Sequence, residues 1–283
     1  MTSVKSTQQL VLVLLLLASV TGCASLPPQQ TVLEPAGALE AAVLAIDGGA
    51  VDEAQALLVP LLALDGQHKI NALHMLTRMY AITGDSLRMR DTAQALLIAD
   101  GADALALEVL GLLALAEGHA VAAQEYLFRA LQSDASRWAA WNGLGILADE
   151  QSEYVQAAAH FQRGLEIVPG HPVLMANLGW SKVLAGDAEA GAQLLRDSLE
   201  TAPDSIVTHS NLAFAVALQG RYEDARKLYS ELYDPSIAAN NIGYAALLRR
   251  DIERAETYLR EALTLKPSFY EKASNNLKIA YGQ

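Results

Sequence analysis

No stretch of the chain alternates apolar and polar residues for long, as a half-buried strand would require. The pattern that does recur has a period of 34. Stepping by that interval from Leu144-Gly145 finds Leu178-Gly179 and Leu212-Ala213 ahead, and Leu110-Gly111 and Leu76-Thr77 behind. Gly84, Gly118, Gly186 and Gly220 each fall seven residues after the second residue of a pair, where a left-handed residue ends a helix. A small residue recurs in the following segment as Ala123, Ala157, Gly191, Ala225 and Ala255. Pro169, Pro203 and Pro267 close their units, because proline cannot continue a helix. Each unit is therefore expected to be two helices joined by a tight turn, burying their apolar faces against the neighbouring units.

The clearest unit runs Trp141-x2-Leu144-Gly145-x2-Ala148, then Ala157, Phe161, Gly164 and Pro169. It resembles the tetratricopeptide-repeat signature. That resemblance implies an all-α fold, a right-handed solenoid with a continuous ribbon for a core. About seven units are expected, starting near residues 35, 70, 104, 138, 172, 206 and 236, with the solenoid filling 36–283. The first is weakly marked, by Gly49, Ala54, Leu58 and Leu61. The sixth is short, since Asp234-Pro235 cuts its second helix early. A final helix, about 270–281, should cap the apolar end of the stack.

Composition agrees with a helical chain. Hydrophobic residues make up 52% of 283, aromatics only 6%, with Ala and Leu dominant. The net charge of −12 and the lack of any basic stripe exclude nucleic acid as a partner. Acidity suits solvation and by itself identifies no binding partner.

The chain has one cysteine, so no internal disulfide is available. Residues 1–22 read as a secretion signal: Lys5, then the apolar run Leu10 to Leu17 and onward, too short for a membrane-spanning helix. The run ends in Val20-Thr21-Gly22-Cys23, which resembles the bacterial lipobox. The resemblance implies cleavage before Cys23 and a covalent lipid on its thiol, with no other cofactor expected. Several acyl chains anchor a protein durably where one does not. Residue 24 is Ala rather than the Asp that retains such lipoproteins at the inner membrane, which implies an outer-membrane protein facing the periplasm. Residues 23–35 read as the anchor and a short Pro-bearing tether.

An Asn precedes the Leu-Gly pair in successive units: Asn177 with Trp180, Asn211 with Phe214, Asn241 with Tyr244, and Asn276 in the capping helix. Each Asn and its aromatic lie three residues apart, on one face of the first helix. In tetratricopeptide solenoids that helix lines the concave groove. A carboxamide can both donate to and accept from a peptide backbone, and rings supply contact area with little entropy to lose. These residues are the peptide-groove candidates. The alternative is structural: Asn also bonds neighbouring helices, and rings in repeats often serve packing.

No catalytic or metal-binding residues are expected. His68, His74, His119, His160, His171 and His209 show no metal-ligand spacing, and no phosphate-cradling loop is present. With no acid, base or nucleophile constellation, a scaffold rather than an enzyme is expected, with no small-molecule substrate.

Residues 170–282 resemble the tetratricopeptide lipoproteins of tight-adherence (Tad/Flp) pilus systems, the TadD type. The likeness is carried by His209-Ser-Asn-Leu-Ala-Phe214 through Tyr222, by Asn240-Asn241-Ile-Gly-Tyr244, and by Lys266-Pro-Ser-Phe-Tyr-Glu-Lys-Ala-Ser-Asn-Asn-Leu277. It implies a pilotin-like part in assembling an outer-membrane secretin. The rival reading is a periplasmic adaptor lipoprotein that tethers peptidoglycan enzymes or other envelope assembly factors.

Overall fold

The computed structural model describes residues 33–266 and 271–280. The leader, Cys23 and most of the tether lie outside the described residues, as do Pro267 and the two ends of the expected capping helix.

Fifteen α-helices and no strand are present among the described residues. They pair in order: α1 (Pro35–Asp47) with α2 (Val51–Leu58), α3 (Gln67–Thr83) with α4 (Ser86–Ala99), and α5 (Ala104–Ala116) with α6 (Ala120–Ser133). Next come α7 (Trp138–Glu150) with α8 (Tyr154–Ile167), and α9 (Pro172–Leu184) with α10 (Ala188–Thr201). The last pairs are α11 (Ile206–Leu218) with α12 (Tyr222–Ser230), and α13 (Pro235–Leu248) with α14 (Ile252–Leu265); α15 (Glu271–Ala280) then stands alone. The architecture is the all-α tetratricopeptide solenoid. Two details were not foreseen. Helix α2 tightens into a 3₁₀ segment over Val59–Ala63, where Pro60 removes a backbone donor. Helix α3 starts at Gln67, three residues before the expected point, directly after the left-handed Gly66.

Every pair closes through one compact turn. Gly84, Gly118, Gly186 and Gly220 have φ between +74° and +93°, and a side chain on Gly118 would meet nothing, so conformation rather than space requires glycine there. The fourth and seventh pairs place Ser152 and Arg250 at the same point, both with φ of +62°. Aspartates begin several helices. Asp85, Asp103, Asp187 and Asp251 each accept the N–H of the third residue beyond, a group no intrahelical carbonyl can satisfy.

Where the two helices of a pair cross, their side chains are matched in size. Equivalent repeat positions read Thr77 with Ala93, Gly111 with Leu127, Gly145 with Phe161, Gly179 with Leu195, Ala213 with Tyr229, and Gly243 with Leu259. A large residue on one helix meets a small one on the other. A Cβ on Gly145 would lie 2.5–2.7 Å from three atoms of the Phe161 ring, which is fully buried. The same principle joins repeats: Leu174 of α9 fills the space left by Gly164 of α8. The core is accordingly a chain of adjoining clusters along the solenoid rather than one ball.

Candidate functional site

First helices of successive pairs pack on one another, as α1 on α3, α5 on α7, α7 on α9, α9 on α11, α11 on α13 and α13 on α15; the second helices do not pack on one another comparably. The side on which neighbours approach more closely is the inside of the curve. Helices α9, α11 and α13 therefore line the concave face with the aromatic candidates.

The three rings form a continuous row. The centroids of Trp180 and Phe214 are 6.0 Å apart with planes tilted at 54°, and those of Phe214 and Tyr244 are 6.1 Å apart and nearly parallel at 26°. Trp180 and Phe214 pack on the C-terminal core cluster yet remain half-buried, and Tyr244 is 40% exposed. Val173 and Val207 lie seven residues before Trp180 and Phe214, two turns back on the same face, and both are exposed. The row thus packs on the core through Trp180 and Phe214 and is most open at Tyr244.

The amides behave differently. Asn177 donates to the side-chain oxygen of Asn142 on α7 at 2.7 Å. Asn276 donates to Asn240 at 3.1 Å, and Asn240, which is buried, donates to Asn241 at 3.2 Å. Asn177 and Asn276 are therefore engaged between helices, and Asn241 by its neighbour within α13. Asn211 is half-buried beside Phe214 and makes no side-chain hydrogen bond among the described residues. Asn142 and Asn240 were missed from sequence. Their signal was an Asn one position earlier in the helix, placing each pair 35 or 36 residues apart, just off the repeat period.

Charge is sorted between the two faces. Helices α9, α11 and α13 carry a single charged residue, Lys182, whereas α10, α12 and α14 carry four, four and five. The outer helices use theirs on one another. Arg226 donates to both carboxylate oxygens of Glu261 at 2.6 and 2.7 Å and lies 5.0 Å from the centroid of the Tyr258 ring. The Tyr258 hydroxyl donates to Glu223, and that of Tyr222 donates to Asp251. The Arg226 hydrogen bonds hold the Glu261 carboxyl below the usual range, against the opposing effect of burial.

Among the described histidines, His160 stacks on Trp141, His171 packs at a tilt against Trp138, and burial lowers the pKa of both imidazoles. His74 pairs with Asp103 at 2.6 Å, and His209 bonds the Pro203 carbonyl. These are contacts with neighbouring helices and loops. No group of three metal-ligating side chains is assembled among the described residues, and no described helix is long and apolar enough to cross a membrane.

Comparison with known proteins supports this repeat reading. A tetratricopeptide-repeat family model matches residues 109–172 and 219–268. No curated protein sequence matches the chain. Among solved structures, a tetratricopeptide repeat protein from Parabacteroides merdae is 15% identical, with a TM-score of 0.55 over 87% of this chain and 98% of its own. PilF of Pseudomonas aeruginosa is 19% identical, with a TM-score of 0.56 over 74% of this chain and 97% of its own. PilW, a type IV pilus biogenesis factor, is 19% identical, with a TM-score of 0.58 over 75% of this chain and all of its own. At these identities the likeness is one of fold. Sequence period, helix pairing and these matches agree that the chain is a tetratricopeptide-repeat solenoid.

Proposed function

We propose that this protein is a binding scaffold that receives an extended segment of a protein partner on the concave face of its last three repeats. The observation that carries this reading is the unbroken row of Trp180, Phe214 and Tyr244, half open to the groove, with the amide of Asn211 beside it. Rings at this spacing offer apolar contact with few rotors to freeze. An amide without an internal partner can pair with backbone N–H and C=O together.

The finer role rests on sequence. The lipobox before Cys23 supports an outer-membrane lipoprotein facing the periplasm, held by its acyl chains. The resemblance of residues 170–282 to Tad/Flp pilus lipoproteins supports a pilotin-like function, delivering or assembling the secretin. The test compares secretin multimers in cells carrying wild-type protein, Cys23→Ser, or Asn211→Ala with Phe214→Ala. Multimers lost or mislocated in Cys23→Ser cells are expected for an anchored pilotin. The same loss with the groove variant, at normal protein level, would place the partner on the concave face. Unchanged secretin in every strain would overturn the pilotin reading and leave a scaffold for another envelope partner.

A further inference from the structure

The geometry points to an uncharged segment with apolar side chains at alternate positions as the occupant of this groove, a reading that rests on the groove proposed above. The first argument is spacing. An extended chain rises about 3.3 Å per residue, so side chains on one of its faces recur about every 6.6 Å. The rings step by 6.0 and 6.1 Å. A segment running along the row would therefore set residues i, i+2 and i+4 against Trp180, Phe214 and Tyr244 in turn. Side chains i+1 and i+3 would point away.

The second argument is charge. Across α9, α11 and α13 the single charged side chain is Lys182, in a protein of net charge −12 whose outer helices are densely charged. A groove for an acidic segment would present Lys and Arg, and one for a basic segment would present carboxylates. This groove presents rings, Val173, Val207 and an amide. A charged side chain laid on it would lose its water and find no partner. Asn211 completes the chemistry, because the backbone of an extended segment has unpaired donors and acceptors on both edges and the carboxamide meets one of each.

The test is fluorescence anisotropy of dye-labelled peptides with blocked termini against the purified full chain in detergent. Four probes are compared: a neutral peptide alternating Phe or Val with Ser, an isomer with its apolar residues consecutive, and two alternating peptides whose spacers carry Asp or Lys. The neutral alternating probe should bind saturably, insensitive to salt, and about tenfold or more tighter than each of the other three. Phe214→Ala and Asn211→Ala should each weaken it, while Val121→Ala, on the outer helix α6, should not.

If a charged probe binds as tightly and is also weakened by Phe214→Ala, the groove stands and the uncharged occupant is overturned. If the consecutive isomer binds equally, the alternation is overturned. If no probe shows binding sensitive to Phe214→Ala, the groove reading fails and this inference with it.

Discussion

The size matching at the helix crossings can be tested by moving one repeat's solution into another. The second repeat uses Thr77 with Ala93 where the fourth uses Gly145 with Phe161. Phe161→Ala alone removes a fully buried ring packed among Ala148, Ala157, Leu174 and Leu178, and should cost about 3–5 kcal/mol. Gly145→Thr alone drives a Cβ to within 2.5–2.7 Å of three ring atoms, which the surrounding cluster holds in place. Overpacking of this kind costs about 1–3 kcal/mol, even after a small gain in helix propensity. In the double variant the threonine occupies space the ring has vacated, so the two losses should not add. We expect a coupling of at least about 1 kcal/mol in favour of the double variant. Urea unfolding followed by tryptophan fluorescence is the assay, because Trp138 packs against the same cluster. Strict additivity, with unchanged dependence on urea, would refute the idea that these two positions are matched as a pair.

Three further outcomes are expected. Ser152→Gly and Arg250→Gly should each raise stability by about 0.5–1 kcal/mol in thermal or urea unfolding, because both residues hold a positive φ that glycine adopts without strain. Burial raises the pKa of Asp149, partly offset by the Ser181 hydroxyl that donates to it at 2.7 Å. A carboxyl raised on folding weakens the fold as pH climbs from its ordinary value through the raised one, so Asp149→Asn should increase the melting temperature at neutral pH. That advantage should vanish at about pH 3, where the carboxyl is protonated in both states. Glu261 has the opposite sign: its pKa is depressed, so its contribution is present above the ordinary carboxylate pKa and lost as pH falls through the depressed one. Arg226→Lys cannot keep both hydrogen bonds and should cost up to about 1 kcal/mol at pH 7, since both side chains are one-third exposed and screened, and little in acid.

The solenoid was legible because its core is periodic. Leu-Gly pairs, turn glycines and closing prolines all follow from packing one helix pair on the next, so each repeat prints the same constraint again. The short α12 was legible too, since Asp234-Pro235 marks the start of the next helix. The 3₁₀ segment at Val59–Ala63 was not, because its unit lacks most of the signature and a proline can end a helix or merely tighten it. At the site, helical spacing placed each aromatic and its Asn on a common face. Whether the rings would touch depended on how far successive helices lean together, which a repeat length does not encode. The amides show the same limit. Asn177 and Asn211 occupy equivalent positions, yet one is tied to Asn142, 35 residues earlier, and the other has Ala176 at that distance, where no amide is available.

The inner joints between consecutive repeats change chemistry along the chain. In the first half they are closed by ionisable pairs, His74 with Asp103 and the buried Glu108 with Arg137. Among the later joints, α7–α9 and α13–α15 carry amide pairs instead, Asn142 with Asn177 and Asn240 with Asn276. The one carboxyl in the α7–α9 joint, Asp149, is itself pushed towards its neutral form by burial. Packing explains why polar groups in these four joints are paired, since first helices approach closely and leave them little water. It does not explain the change of kind, because ion pairs already close the equivalent joints upstream. A desolvated ion pair would be a poor neighbour for an apolar ligand, as further loss of water weakens it unless its geometry is excellent. Neutral amides carry no such penalty. The switch falls at the α7–α9 joint, where the rings begin at Trp180, and neutral amides there are what the proposed groove would require.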